Sequence, residues 1–230
     1  MNITRSIITA ALAALPGLAA AQGFQGAEVS AALTAFDGSG GVDISNYAAG
    51  MQFGIGAGIS VELDFGLNNF HFLSGDSHTT TLHGIYELSP GMSAGLFYAQ
   101  ERGDGAKLTS YGIEGTSRFG ALDLAGYLGR MEIADLSATA IGIEGTMDIG
   151  SAMAVSVGLD RVSGAGEDGT NVSIGGEYRF ASGPAVFAEI GRLSDDTDSQ
   201  NYLSIGARVA IGNGTAFGNR GISDMIGGGF

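Results

Sequence analysis

Residues Ile141–Asp160, IGIEGTMDIGSAMAVSVGLD, alternate with a period of two on both sides of a glycine turn. Ile141, Ile143, Met147 and Ile149 share one face, and Gly142, Glu144, Thr146 and Asp148 share the other. Beyond Gly150, Met153, Val155, Val157 and Leu159 again point one way, with Ala154, Ser156, Gly158 and Asp160 opposite. Alternation of this kind fits a β-hairpin and not a helix. The apolar face of such a hairpin must be covered, either by a protein core or by lipid.

The hairpin is one of a series. YGIEGTSRFGALDLAGY, IGIEGTMDIGSAMAVSVG, VSIGGEYRFASGPAVFAEIG and LSIGARVAIGNG align with Ile113, Ile143, Ile174 and Ile205 in register, at spacings of 30, 31 and 31 residues. Each unit therefore supplies one down-strand and one up-strand, whereas propeller blades carry four strands and run longer. From Gln25 the chain divides into about twelve segments of about ten residues, the length of a tilted transmembrane strand. The expected strands are 25–36, 43–55, 59–70, 79–88, 92–102, 109–119, 121–131, 137–149, 152–162, 171–180, 185–193 and 200–211. Short connections (GAG, SPG, GA, GSA, ASGP) alternate with longer polar ones (DGSGG, LSGDSH, RGDGAK, IADLS, SGAGEDGT, SDDTDS). Short turns at one end and longer loops at the other are the pattern of an outer-membrane barrel, with periplasmic turns and extracellular loops. An even strand count sets both termini on the periplasmic side.

Composition narrows the choice. With 41 Gly in 230 residues, long helices are disfavoured, while curved strands and turns accept glycine. No run of about 18 apolar residues could span a bilayer as a helix. The third strand alternates Ile59, Val61, Leu63, Phe65 and Leu67 with Ser60, Glu62, Asp64, Gly66 and Asn68. A soluble β-protein could do the same, but its polar face would favour Lys, Glu, Thr and Arg. Here Gly, Ala and Ser alternate with single carboxylates, and Lys107 is the one lysine. Small residues suit a confined interior, so the apolar face is assigned to lipid. Tyr47, Tyr86, Tyr98, Tyr111, Phe119, Tyr178 and Phe180 fit interfacial girdles. The formal net charge of −14 repels phosphate backbones, so nucleic acid is excluded as a partner. The absence of cysteine excludes disulfides, zinc–thiolate sites and a lipoprotein anchor. Arg5, the apolar Ile7–Leu15 and Ala19-Ala20-Ala21 form a secretory signal. The expected division is a signal peptide over 1–21, a barrel over 22–211 and a Gly-rich tail over 212–230.

On the signal peptide, the Gln-Gly start after it and the hairpin repeats to Ile211, the chain resembles the Gram-negative porin superfamily. The resemblance is greatest to the small porin-like outer-membrane proteins of alphaproteobacteria, and it implies passive diffusion of small hydrophilic solutes. Two departures stand out. Such porins often have about sixteen strands and a long constricting loop, and this chain has neither. They usually end on a strand with a terminal aromatic residue, whereas here GNGTAFGNRGISDMIGGGF follows the last strand. That tail reads from its composition as a disordered periplasmic extension. A plug in the lumen and, through Phe230, an assembly signal are the alternatives.

Strand parity selects the expected pore-lining residues: Glu62, Asp64, Glu114, Asp123, Glu144, Asp148, Glu177 and Glu189, with Arg118, Arg179 and Arg208. Glu28, Glu87, Glu101, Asp160 and His83 share that face. A two-residue turn at Gly120-Ala121 would set Arg118 opposite Asp123 as a cross-strand ion pair. Taken singly such pairs hold a narrow barrel closed; taken together they form a charged constriction whose acidic excess predicts cation preference. The three histidines fall in HFLSGDSHTTTLH (71–83) beside Ser74, Asp76 and Ser77, types that a hydrolase or metal site would have to bring together. No motif of an outer-membrane phospholipase, omptin protease or lipid A deacylase accompanies them. GIGAG (54–58) falls where a turn is due, and Asp195, Asp196 and Asp198 lack the spacing of a calcium loop. The reading is therefore a non-enzymatic, cation-preferring channel of the outer membrane, with no cofactor and no dedicated metal site. Its partners would be outer-membrane lipid, small solutes or cations, and further copies of itself as a homo-oligomer. A non-conducting structural or adhesive barrel is the rival, and a hydrolase survives only through the histidines.

Overall fold

The computed structural model describes residues 23–71, 75–103, 105–164 and 167–223. The signal segment and Phe230 lie outside the described residues. Twelve strands follow one another: β1 (Phe24–Phe36), β2 (Ile44–Gly56), β3 (Ile59–Phe70), β4 (Gly75–Ser89), β5 (Met92–Gly103), β6 (Ala106–Phe119), β7 (Leu122–Ile133), β8 (Leu136–Ile149), β9 (Met153–Gly164), β10 (Glu167–Arg179), β11 (Pro184–Asp195) and β12 (Ser199–Gly212). Each pairs antiparallel with its sequence neighbours, and β1 pairs with β12 in a register that sets Ser30 opposite Arg208. The sheet closes into a barrel with no free edge, which a bilayer requires of any spanning sheet.

At the short-turn end the strand limits agree with the sequence pattern to within one or two residues. Gly120 and Gly150 open two of these turns with φ of 64° and 71°, a left-handed conformation that glycine adopts without strain. At the other end the strands run on. β4 begins at Gly75 rather than 79, β6 at Ala106 rather than 109, and β10 at Glu167 rather than 171. The acidic connections are shorter than their polarity suggests, because the hydrogen-bond ladder continues into polar residues above the apolar band. Side-chain alternation reports burial, not the extent of backbone pairing.

The sides of the sheet are inverted relative to a soluble protein. Ile143 is 57% exposed and Leu96 66%, while Glu62 and His83 are completely buried. Ile141, Ile143, Val157 and their equivalents face outward, as assigned. Tyr86, Phe119, Tyr178 and Phe180 face outward near the short turns, with Tyr178 and Phe180 in edge contact at 5.0 Å. Tyr98 and Tyr111 pair across β5 and β6 toward the loop end. The hairpin repeat also carries an outward row of arginines near the loops, Arg130, Arg161 and Arg192, spaced by 31 residues. Each reaches across its hairpin, to Ser137, Asp168 and Ser199 respectively.

Ile143 lies near the middle of β8 on the outer face, so Ile143→Lys should cost about 2–4 kcal/mol in a bilayer. Chemical unfolding of the protein in lipid vesicles checks this; a cost near zero would be incompatible with a lipid-facing position.

Candidate functional site: a polar lumen

The segment after β12 turns into the barrel. Asn213 N donates to the Gln25 carbonyl at 3.0 Å, and Gly214 has φ of 72°. Two wall glycines make room: a Cβ on Gly26 would collide with the Gly214 carbonyl, and one on Gly50 with the Asp64 carboxylate and the Thr215 methyl. The amides of Ala216 and Phe217 donate to the two oxygens of Glu62, at 2.7 and 3.1 Å. Arg220 N donates to Thr81 Oγ1 at 3.2 Å. Ser223 donates its amide to Glu101 at 3.2 Å and its hydroxyl to the other oxygen of that carboxylate. Phe217 is 7% exposed. Residues 213–223 are therefore a plug against one wall, and the reading of a disordered extension is corrected for them. Composition described the tail alone, whereas its order comes from wall carboxylates that need donors.

Beneath the plug sits a buried cluster of charge. Glu62 on β3 is directly opposite His83 on β4, and Asp64 follows two residues on along the same face. His83 Nδ1 lies 2.5 Å from Glu114 Oε1, and its Nε2 lies 2.9 Å from Asp64 Oδ2. Glu114 is on β6 and leans over β5 at Gly95, where a Cβ would press to 3.2 Å against its side chain. Its other oxygen receives Arg220, with Nε at 3.1 Å and NH2 at 3.0 Å. The guanidinium carbon is 4.8 Å from the centre of the Tyr127 ring, and His83 stacks on Phe217 at 5.7 Å. Buried charges are tolerated only with partners of this kind, and removing one partner leaves the other stranded.

A second group of the predicted residues forms a ladder toward the short-turn end. Arg118 faces Asp123 in the expected register, at 3.5 Å, but its shorter contact is to Asp148 on β8, at 2.7 Å. Asp148 also receives Arg179 at 2.6 Å, and Arg179 reaches Glu177 at 2.6 Å. Arg208 pairs with Glu177 and reaches Glu28 at 3.7 Å. Positive and negative groups thus alternate from Asp123 to Glu28 along the wall. Parity identified the members, but the bridging role of Asp148 depends on the register of three strands.

Between the plug and the remaining wall lies a cavity of about 750 Å³, lined mainly from β6 to β12 with further residues from β1 and β2. Glu144 and Glu189 line it, together with Asp160 and the ladder residues. Tyr127 and Tyr202, aromatic residues outside the expected girdles and pore lining, both point inward. Tyr127 lies flat over Gly142, where a Cβ would overlap its ring, and donates to Asp160 at 2.9 Å. Tyr202 donates to Glu189 at 2.7 Å. Their signal was parity opposite an inward glycine one strand away.

The residues of the histidine segment do not meet. His71 contacts Ser45 at 2.9 Å, His78 points outward, and only His83 enters the lumen. Ser77 is bonded to Ser223, and Ser74 is outside the described residues. No serine–histidine–carboxylate constellation is formed among the described residues of this segment.

A closed barrel with a lipid-facing apolar exterior and a polar, charged interior defines an outer-membrane channel protein. The chain belongs to the Gram-negative porin family, whose model matches residues 73–200. No curated protein matches it in sequence. Among solved structures it is similar in fold to the NanC porin, with TM-score 0.62 and 10% identity over 80% of this chain and 98% of that one. The COG4313 outer membrane channel from Pseudomonas putida F1 gives TM-score 0.62 and 10% identity over 83% and 96%. The KdgM porin, in complex with disordered oligogalacturonate, gives 0.60 and 10% over 79% and 98%.

The plug is held in part by two hydrogen bonds from tail amides to the Glu62 carboxyl group, each contributing about 0.5–1.5 kcal/mol. In the cysteine-free chain, a cysteine placed at Ala216 should therefore react slowly with a water-soluble maleimide. Glu62→Ala should speed that labelling by at least about tenfold; equal rates would mean that Glu62 does not retain the plug.

Proposed function

We propose that this porin is a passive channel for small hydrophilic solutes and ions, with a preference for cations. The observation that carries the preference is the lining of the free cavity: eight carboxylates (Glu28, Asp64, Asp123, Glu144, Asp148, Asp160, Glu177, Glu189) against four guanidiniums (Arg118, Arg179, Arg208, Arg220). Fixed charge in a narrow, poorly screened lumen raises the local concentration of the opposite ion. The lower flank of this cavity carries the paired Arg118, Arg179 and Arg208, so the excess acid acts mainly through Glu144, Asp160 and Glu189. A polyanion such as the oligogalacturonate of the KdgM complex would meet net repulsion here. The plug narrows the lumen without filling it, which favours small permeants.

Planar-bilayer recording under a salt gradient tests the reading. A reversal potential favouring potassium over chloride is expected, reduced by Glu144→Gln with Asp160→Asn and increased by Arg208→Gln. A chloride-favouring potential would remove the cation preference. Absence of any current would instead support a non-conducting barrel.

A further inference from the structure

We infer that Glu62, Asp64 and His83 form a binding site for one divalent transition-metal ion, of the zinc type, on the inner wall beside the plug. Their donor atoms lie within 4.8 Å of one another, and all three residues are buried. The decisive detail is the contact between His83 Nε2 and Asp64 Oδ2. The atoms are 2.9 Å apart, yet they are out of line for a hydrogen bond, and neither has a hydrogen-bond partner. Two buried polar atoms left so close and unpaired are costly, unless a third body accepts both. Two donors about 2.1 Å from one zinc-type ion at the tetrahedral angle sit about 3.4 Å apart. The observed 2.9 Å is within about half an ångström of that spacing, so a small opening of the pair would admit one ion between them.

The surroundings are those of a ligand set. His83 Nδ1 faces the Glu114 carboxylate at 2.5 Å, and an ionised carboxylate can only accept, so the ring donates there. That arrangement leaves the Nε2 lone pair free in the neutral ring and supplies the outer carboxylate typical of metal-bound histidine. Arg220 fixes the second oxygen of Glu114, and Phe217 stacks on the imidazole, so the ring is held on three sides. Glu62 is oriented by the amides of Ala216 and Phe217, and each of its oxygens keeps further acceptor capacity. Charge points the same way. Glu62, Asp64 and Glu114 cluster three carboxyl groups, and among the described residues Arg220, on Glu114, is the one guanidinium in contact with them, a deficit that a dication and a neutral histidine would offset. One imidazole and two carboxylates match zinc, cobalt or manganese rather than calcium or magnesium, which take oxygen ligands only. Asp64 borders the free cavity, so the ion has a path from the lumen.

The competing state is a protonated His83 clamped as an ion pair between Asp64 and Glu114, and it binds no metal. The two are separated by stripping the full chain in detergent with a chelator and titrating it with Co²⁺. Binding of one Co²⁺ per chain with visible ligand-field absorption, reversed by Zn²⁺, is expected. His83→Gln and Asp64→Asn should each weaken it by at least about 100-fold, and the positioning residue Glu114→Gln by about 10–100-fold with the absorption retained. Glu132→Gln on the outer face should change nothing. No Co²⁺ absorption in the unaltered chain, or absorption and affinity that survive His83→Gln, would overturn the assignment. Heat-dependent gel mobility of each variant separates loss of metal binding from loss of fold.

Discussion

In hydrocarbon an unpaired amide costs several kcal/mol, so a spanning sheet must satisfy every backbone group within itself. The seam between β1 and β12 meets that demand here, joining the ends of the sheet from Gly26 opposite Gly212 to Phe36 opposite Tyr202. Everything else follows from closure. The outer face, with no core to cover, takes Ile, Leu and Val in contact with lipid. The inner face becomes a confined space that must be filled with matter compatible with water.

The chain fills that space by pairing large inward side chains with glycines on neighbouring strands. Tyr127 lies across Gly142, and Glu114 across Gly95. A long polar side chain thereby lies along the wall and reaches a partner one or two strands away, instead of projecting across the pore. The high glycine content thus has a spatial meaning beyond turns. The contacts of Arg118, Arg179 and Arg208 likewise link into a ladder that follows the wall.

The plug adds asymmetry. It bonds to the wall from β3 to β6 and leaves a cavity lined mainly from β6 to β12, with Glu28 and Asp64 on its border. Glu62, Glu101 and Glu114 on the first wall are bonded by the tail and His83, whereas Glu144, Asp160 and Glu189 on the second meet the neutral hydroxyls of Thr146, Tyr127 and Tyr202. Two groups of acids that look alike along the sequence therefore have different roles. Glu62 and Glu114 organise structure, whereas Glu144 and Glu189 face the cavity. Likeness to NanC, KdgM and the COG4313 channel at 10% identity speaks to the fold and not to these inner residues.

The sequence by itself determined a barrel of about twelve strands, its antiparallel up-and-down order and the face on which each strand residue lies; the structure fixed the number at twelve. Period-two alternation and a hairpin repeat are local properties, and pleating converts parity directly into side. Parity therefore marked Glu62, Asp64, Glu114, Glu144, Asp148, Arg179 and Arg208 as inward without any knowledge of neighbours. Only the tertiary structure decided which of them touch. Whether Asp148 bridges two arginines depends on strand register, and whether Glu62 binds the tail depends on a segment about 150 residues away, at Ala216. The strand ends and the path of residues 213–223 were equally out of reach. Backbone pairing continues without regard to side-chain polarity, and a glycine-rich tail takes its order from partners that it does not itself contain.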